Sequence, residues 1–219
     1  MRKKQGNKPG PARAARAVPA HQIRIIGGQW KRTPLVVLDA EGLRPTPDRV
    51  RETVFNWLHH LLDGQWENVA CLDLFAGTGA MGFEAASRGA ERVVMVEADG
   101  PAAQQLQATK EKLHAAQITV VRGDALATAQ NLATRISSAS GENARFNVIF
   151  LDPPYHQDWL AKMLPVCERL LADDGLVYAE AEQSLSSEAM PDWLTGWQIV
   201  RADKAGMVFY HLLRRNEAD

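Results

Sequence analysis

Asp152-Pro153-Pro154-Tyr155 follows directly on the apolar run Val148-Ile-Phe-Leu151. Two consecutive prolines fix the backbone and donate no hydrogen bonds, so an acid and an aromatic ring are held at a set spacing. The four residues suit an exocyclic amine on a nucleobase, a poor nucleophile because its lone pair is delocalised into the ring. Asp152 and the Pro153 carbonyl can each accept one amine hydrogen, Pro154 stiffens the turn, and Tyr155 can stack on the base. Alone, the same residues are also a turn after a buried strand. The choice between the two readings rests on what the rest of the chain places beside them.

A second cluster supplies a cofactor site. Asp73-Leu-Phe75-Ala76-Gly77-Thr78-Gly79-Ala-Met-Gly82 follows one strand-like run and opens a helix-like one. Its glycines allow a tight turn and close approach of a ligand to the backbone. The pattern G-x-G-x-x-G alone serves a dinucleotide equally well. Asp73 tips the balance, because a carboxylate beside the loop opposes a pyrophosphate but can hold the ammonium group of S-adenosylmethionine. Glu97, followed by Ala98, stands where an acid accepts from both ribose hydroxyls, in either kind of cofactor. Asp124, followed by Ala125, is placed either to accept from the adenine amine or to cap the next helix. Asp99 reads as a helix cap.

These residues need a frame, and hydrophobic periodicity supplies one. From Val69 onward strands alternate with helices. Strands are predicted at Val69–Leu74, Arg92–Glu97, Ile118–Val121, Phe146–Leu151 and Gly175–Ala179, with helices at Gly79–Ser87, Ala102–His114, Ala125–Ile136 and Trp159–Leu171. Such alternation implies a parallel sheet covered on both faces. A terminal pair, Trp197–Ala202 and Met207–Leu213, closes as an antiparallel hairpin. Upstream, Gln22–Ile26 and Pro34–Leu38 read as short strands. Thr46 is placed as the N-cap of a helix whose first residue is Pro47. The resulting division is a basic tail at 1–21, a hairpin-and-helix extension at 22–62 and a catalytic domain at 63–219.

Charge is divided as sharply as structure. Residues 1–51 carry 12 Lys/Arg against 3 Asp/Glu, and the remaining 168 carry 13 against 23, so +9 and −10 give the net −1. A basic N-terminal quarter on an acidic chain suits a polyanionic partner. The tail has no apolar core and so is no secretory signal. No apolar run reaches the roughly 18 residues of a membrane span. Cys71 and Cys167 lack ligand spacing and read as buried thiols in a reducing cytoplasm, with no metal expected.

Taken together the motifs resemble the bacterial 16S ribosomal RNA guanine-N2 methyltransferases of the RsmD type. The likeness spans roughly residues 22–213 and includes Arg24-Ile-Ile-Gly-Gly-Gln-Trp30, Gly42-Leu-Arg-Pro-Thr46, Asp48-Arg-Val-Arg-Glu-Thr53-Val-Phe-Asn-Trp57 and Lys204-Ala-Gly206. It implies a class I methyltransferase (Rossmann-like) α/β fold with a seven-stranded, mostly parallel sheet, and S-adenosylmethionine as methyl donor. It also implies a guanine of the small-subunit head as target, reached by a monomer that meets 16S rRNA or the small subunit. Arg24, Lys31, Arg32, Arg44, Arg49 and Arg51 are the implied RNA contacts. An adenine-N6 methyltransferase on DNA or RNA shares the catalytic motif, and a non-catalytic RNA-binding assembly factor shares the scaffold. A dehydrogenase would leave Asp152–Tyr155 without a role.

Overall fold

The computed structural model describes residues 22–37, 46–138, 144–185 and 191–216. Within them, β1 (Gln22–Arg24) and β2 (Pro34–Val36) form a small antiparallel ribbon, followed by α1 (Asp48–Leu61). The large sheet begins with β3 (Ala70–Asp73), α2 (Ala80–Ser87), β4 (Arg92–Glu97), α3 (Gly100–Leu113) and β5 (Ile118–Arg122). It continues with α4 (Ala125–Ser138), β6 (Phe146–Leu151), α5 (Trp159–Leu170) and β7 (Leu171–Ala181), and ends in β8 (Trp197–Ala205) and β9 (Val208–Arg215). The sheet order is β5-β4-β3-β6-β7-β9-β8, parallel from β5 to β7 and antiparallel across β9.

Side chains alternate across this sheet, so each face has its own core. Cys71, Val93, Met95, Val148, Phe150, Leu176 and Tyr178 pack with α1, α2 and α3. Leu72, Val94, Val96, Ile149, Leu151 and Val177 pack with α4 and α5. Both cysteines are buried free thiols.

The extension is not a separate layer. Ile23, Ile25, Leu35, Val37, Val50, Val54, Phe55 and Leu58 belong to the same core as β3 and β4. Phe55 meets Phe150 at 5.8 Å between ring centroids, and Trp57 meets Tyr210 at 5.6 Å. The ribbon's turn is clamped to α2 by Glu84, fully buried, which accepts from the Ile26 and Gly27 N–H groups at 2.6 and 2.8 Å. Gly28 sits at φ +71°, and a Cβ there would lie 1.8 Å from the Ser87 carbonyl oxygen, so only glycine permits this contact.

Two elements depart from the periodicity. β7 begins at Leu171, directly after α5, whereas the helix was expected to run through Leu171 and the strand to start at Gly175. Its register with β6 jumps from Phe146↔Leu171 to Val148↔Leu176, an irregularity that lets the chain reverse out of α5 without a connector. Thr46 is not the N-cap. Pro47 holds that position, and its carbonyl accepts from the Val50 and Arg51 N–H groups at 2.9 and 3.2 Å. The Thr46 hydroxyl is drawn away to two acids.

Candidate active site

β3, β4 and β5 run outward in one direction from β3, and the chain then crosses to β6 and β7 on its other side. The crevice between the carboxyl ends of β3 and β6 is therefore the switch point, where open α/β sheets bind ligands. Asp73 ends β3 and Asp152 follows β6, one on each side of it. Glu97 ends β4, Asp124 follows β5, and Glu180 is the penultimate residue of β7. Topology thus gathers five acids along one edge from distant parts of the sequence.

On the cofactor side, Asp73 is buried, and its Oδ2 accepts from the Gly82 N–H at 3.1 Å. Burial pushes its carboxyl up to about 7; the Gly82 N–H opposes this, and the charge on Glu97 adds to it. Gly82 also brings α2 close to β4, since a Cβ there would lie 2.4 Å from the Met95 sulfur. Glu97 accepts from the Gly77 N–H at 2.7 Å and from the Asp99 N–H at 2.8 Å, so it pins the glycine loop. Phe75 meets Trp159 edge-on at 5.3 Å, and the buried Ala76 donates its N–H to the Val96 carbonyl at 3.0 Å. Thr78 and Gly79 complete the turn into α2, with Gly79 at φ +76°. Beyond Glu97, Ala98 is exposed, while Ala125 is buried at the start of α4.

Of the two roles open for Asp124, capping is visible, because its Oδ1 accepts from the Ala127 N–H at 2.8 Å. Asp99 occupies the cap position of α3, but its side chain makes no capping hydrogen bond. Its backbone N–H is committed to Glu97 instead.

On the catalytic side, Asp152 is half-buried, Pro153 is buried, and Pro154 and Tyr155 are exposed. The Thr46 hydroxyl lies 2.9 Å from Asp152 Oδ2 and 3.1 Å from Glu180 Oε1, and the Tyr178 hydroxyl donates to that same Glu180 oxygen at 2.6 Å. Burial, and then the charge on Glu180, drive the Asp152 carboxyl well above the usual carboxylate range. Beyond Tyr155, the His156 N–H donates to Glu182, whose other oxygen lies 2.8 Å from His156 Nδ1.

Sequence reasoning missed Thr46, Tyr178 and Glu180 as members of this site. The available signal was the pair Tyr178 and Glu180, two apart in an apolar strand and so on one face of it.

The basic residues divide. Arg24 and Arg49 are exposed, Arg49 in the first turn of α1 and Arg24 joined to that turn through the contact of its carbonyl with Arg51. Lys31 and Arg32 are exposed in the turn that docks at the far end of α2, whose eight residues span about 12 Å. Arg51 corrects the expectation of a surface contact. It is fully buried, and its Nη2 donates to the Arg24 carbonyl at 2.8 Å and to Asp48 at 2.6 Å, joining β1 to α1. Arg44 lies outside the described residues.

This strand order, with a glycine loop after the first parallel strand and acids at the ends of the next, defines a class I methyltransferase fold. The chain belongs to the family described as Conserved hypothetical protein 95, that of the RsmD type, whose model matches residues 23–214. It is 39% identical over 197 residues to the Ribosomal RNA small subunit methyltransferase D of Escherichia coli, covering 89% of this chain and 90% of that one. The protein of the same name from Haemophilus influenzae is 36% identical over 198 residues, covering 87% and 93%. A solved Escherichia coli structure, described as a candidate methyltransferase, superposes with a TM-score of 0.72 at 35% identity, covering 90% of this chain and all of that one.

Proposed function

We propose that the chain methylates the exocyclic N2 amine of a guanine in small-subunit ribosomal RNA, with S-adenosylmethionine as donor. The observation that carries this reading is Asp152, fixed at the switch point between Thr46 and Glu180 and followed by buried Pro153 and the exposed ring of Tyr155. The family relationship supports the substrate class, and the N2 position rests on the resemblance of the motifs.

The residues present fit this cofactor. The groups that set the ionisation of Asp73 are burial, Glu97 and two backbone N–H groups, so a bound ammonium would supply the counter-charge it lacks. The acid at Glu97 adds to that preference and disfavours a pyrophosphate. Asp73 would hold the ammonium, Glu97 the ribose hydroxyls, and Phe75, Ala76, Gly77, Thr78 and Gly79 the loop side of the nucleoside. Ala98, Asp124 and Ala125 would border the adenine. When bound, S-adenosylmethionine supplies a methyl group on a positively charged sulfur.

The chain's own residues then do three things. Asp152 and the Pro153 carbonyl accept the amine hydrogens and aim the nitrogen lone pair. The Tyr155 ring stacks on a base splayed out of its helix. The acidic edge stabilises the positive charge in the transition state. Arg24 and Arg49 would contact phosphate beside the site, with Lys31, Arg32 and Arg44 extending the basic surface.

Transfer from labelled S-adenosylmethionine to unmodified small subunits, followed by digestion to nucleosides, tests the reading. Labelled N2-methylguanosine is expected. N6-methyladenosine would overturn the base assignment, and cofactor binding without any labelled nucleoside would overturn the enzymatic reading in favour of a binding factor.

A further inference from the structure

The hydrogen bonding beneath Asp152 is more elaborate than an amine acceptor needs. A threonine hydroxyl carries one hydrogen. Thr46 Oγ1 nevertheless stands within hydrogen-bond distance of two carboxyl groups, 2.9 Å from Asp152 and 3.1 Å from Glu180. It can donate to one of them only; toward the other it presents a lone pair, which an ionised carboxylate cannot use. Thr46 is 5% exposed, Glu180 4% and Tyr178 0%, while Asp152 is half-buried, so water can reach the cluster only from the Asp152 side and leaves the Thr46–Glu180 contact to the protein. A single proton shared by the two carboxyls resolves the conflict.

Position decides where that proton rests. Glu180 accepts from the Tyr178 hydroxyl at 2.6 Å, a contact that favours its anion. The hydroxyls of Tyr178 and Thr46 and the carboxyl of Asp152 all pull Glu180 down against the effect of burial. Burial and then the charge of Glu180 push Asp152 up, and Asp73 on β3 adds to them, with the Thr46 hydroxyl alone pulling the other way. Of the other ionisable groups nearby, Tyr210 on β9 acts on Tyr178, while Arg49 and Asp203 reach only as far as Tyr210. Asp152 therefore holds the proton and Glu180 the negative charge.

An amine that gains a methyl must lose a proton, and an Asp152 already protonated can take one only by passing its own along. We propose that Asp152 and Glu180 form a one-proton relay, bridged by Thr46, in which Glu180 is the final acceptor of the amine proton. The nitrogen–methyl bond forms as the methyl–sulfur bond breaks, and that bond's electron pair stays on sulfur. One amine proton moves to Asp152, and the proton Asp152 held moves to Glu180, which turns from anion to acid. The positive charge brought in on sulfur is thus cancelled on Glu180, which returns its proton to solvent before the next turnover. Glu180 touches no substrate and acts through Asp152, as a positioning and relay residue.

The relay rests on the proposed reaction, so its test has two arms. In the full-length protein without RNA, carbon-13 NMR of labelled carboxyls, assigned with Asp152→Asn and Glu180→Gln, should show one proton on the pair at neutral pH. Two ionised carboxylates would overturn the relay whatever the substrate. In single-turnover transfer, Glu180→Gln should slow the step at least ~100-fold. Its RNA KM and cofactor affinity should stay within about twofold, Glu180→Asp should restore part of the rate, and the acid limb of the wild-type pH profile should be lost. An unchanged rate and profile would overturn the relay. So would a rate that falls only in step with melting temperature and cofactor affinity, which would make Glu180 a structural post. A proton on the pair in a protein that methylates no RNA would instead overturn the functional reading.

Discussion

Replacing Glu84 with alanine should detach the extension from the sheet. The carboxylate is fully buried and accepts from the Ile26 N–H at 2.6 Å, the Gly27 N–H at 2.8 Å and Arg88 Nε at 2.8 Å. Hydrogen bonds to a charged group contribute about 1.5–3 kcal/mol each, and a buried donor left without a partner costs about 1–3 kcal/mol. The Arg88 side chain is 16% exposed and can turn toward water, so its share is discounted. The two backbone donors then give a loss of about 3–5 kcal/mol, a large part of the roughly 5–15 kcal/mol that holds a domain together. Glu84→Gln keeps one acceptor oxygen but turns an NH2 toward a donor, for a loss of about 2 kcal/mol. Urea unfolding should lower the midpoint in that order, with amide exchange accelerating first at Ile26 and Gly27. Because the extension carries Thr46, methyl transfer should fall in Glu84→Ala even where the rest of the fold persists. A loss under about 1 kcal/mol with full activity would refute the clamp.

Four further substitutions probe other parts of the molecule. Gly28→Ala puts a Cβ 1.8 Å from the Ser87 oxygen at φ +71° and should cost at least about 2 kcal/mol, read as a melting temperature lower by several degrees; an unchanged melt would mean the ribbon docks otherwise. Asp152→Ala should abolish transfer while calorimetry finds cofactor affinity nearly intact, and loss of both would make the residue structural. Asp73 rises from 3.8 to about 7 on folding, so the native state binds the extra proton and stability falls as pH climbs between those values. Asp73→Asn should therefore gain about 2–4 kcal/mol on wild type across that window, and parallel pH–stability curves would refute the assignment. Arg24→Ala with Arg49→Ala should flatten the salt dependence of RNA binding by about one phosphate contact each.

The parallel units were legible because their signals are local. Arg92–Glu97 and Phe146–Leu151 are apolar runs with sharp polar ends, and both strands have the bounds expected of them. Asp73, Glu97 and Asp152 stand out as the acids that end or follow such runs. What stayed hidden depends on contacts across the fold. Thr46 has the sequence context of a helix cap, and only the arrival of Asp152 and Glu180, 106 and 134 residues away, redirects its hydroxyl. Arg51 sits in a basic stretch that promises a surface, yet the carbonyl of Arg24 across the extension draws it inward. Glu84 reads as an ordinary helical acid until the ribbon that needs it is in place. Local periodicity places elements, but a polar side chain's partner is chosen by topology.

The order of strands bears on how the chain is made. β9 leaves the ribosome after the other described strands, yet it lies inside the sheet, between β7 and β8. Until it emerges, the Val177–Ala181 end of β7 has a row of free hydrogen-bonding groups where β9 belongs, and β8 has no neighbour in the sheet. The nascent protein therefore carries an apolar, strand-shaped vacancy until β9 has been made, a form open to mispairing with other chains. Closing that vacancy also sets Tyr210 against Trp57 of α1, so β9 and α1, more than 140 residues apart in the chain, meet only once β9 has been made.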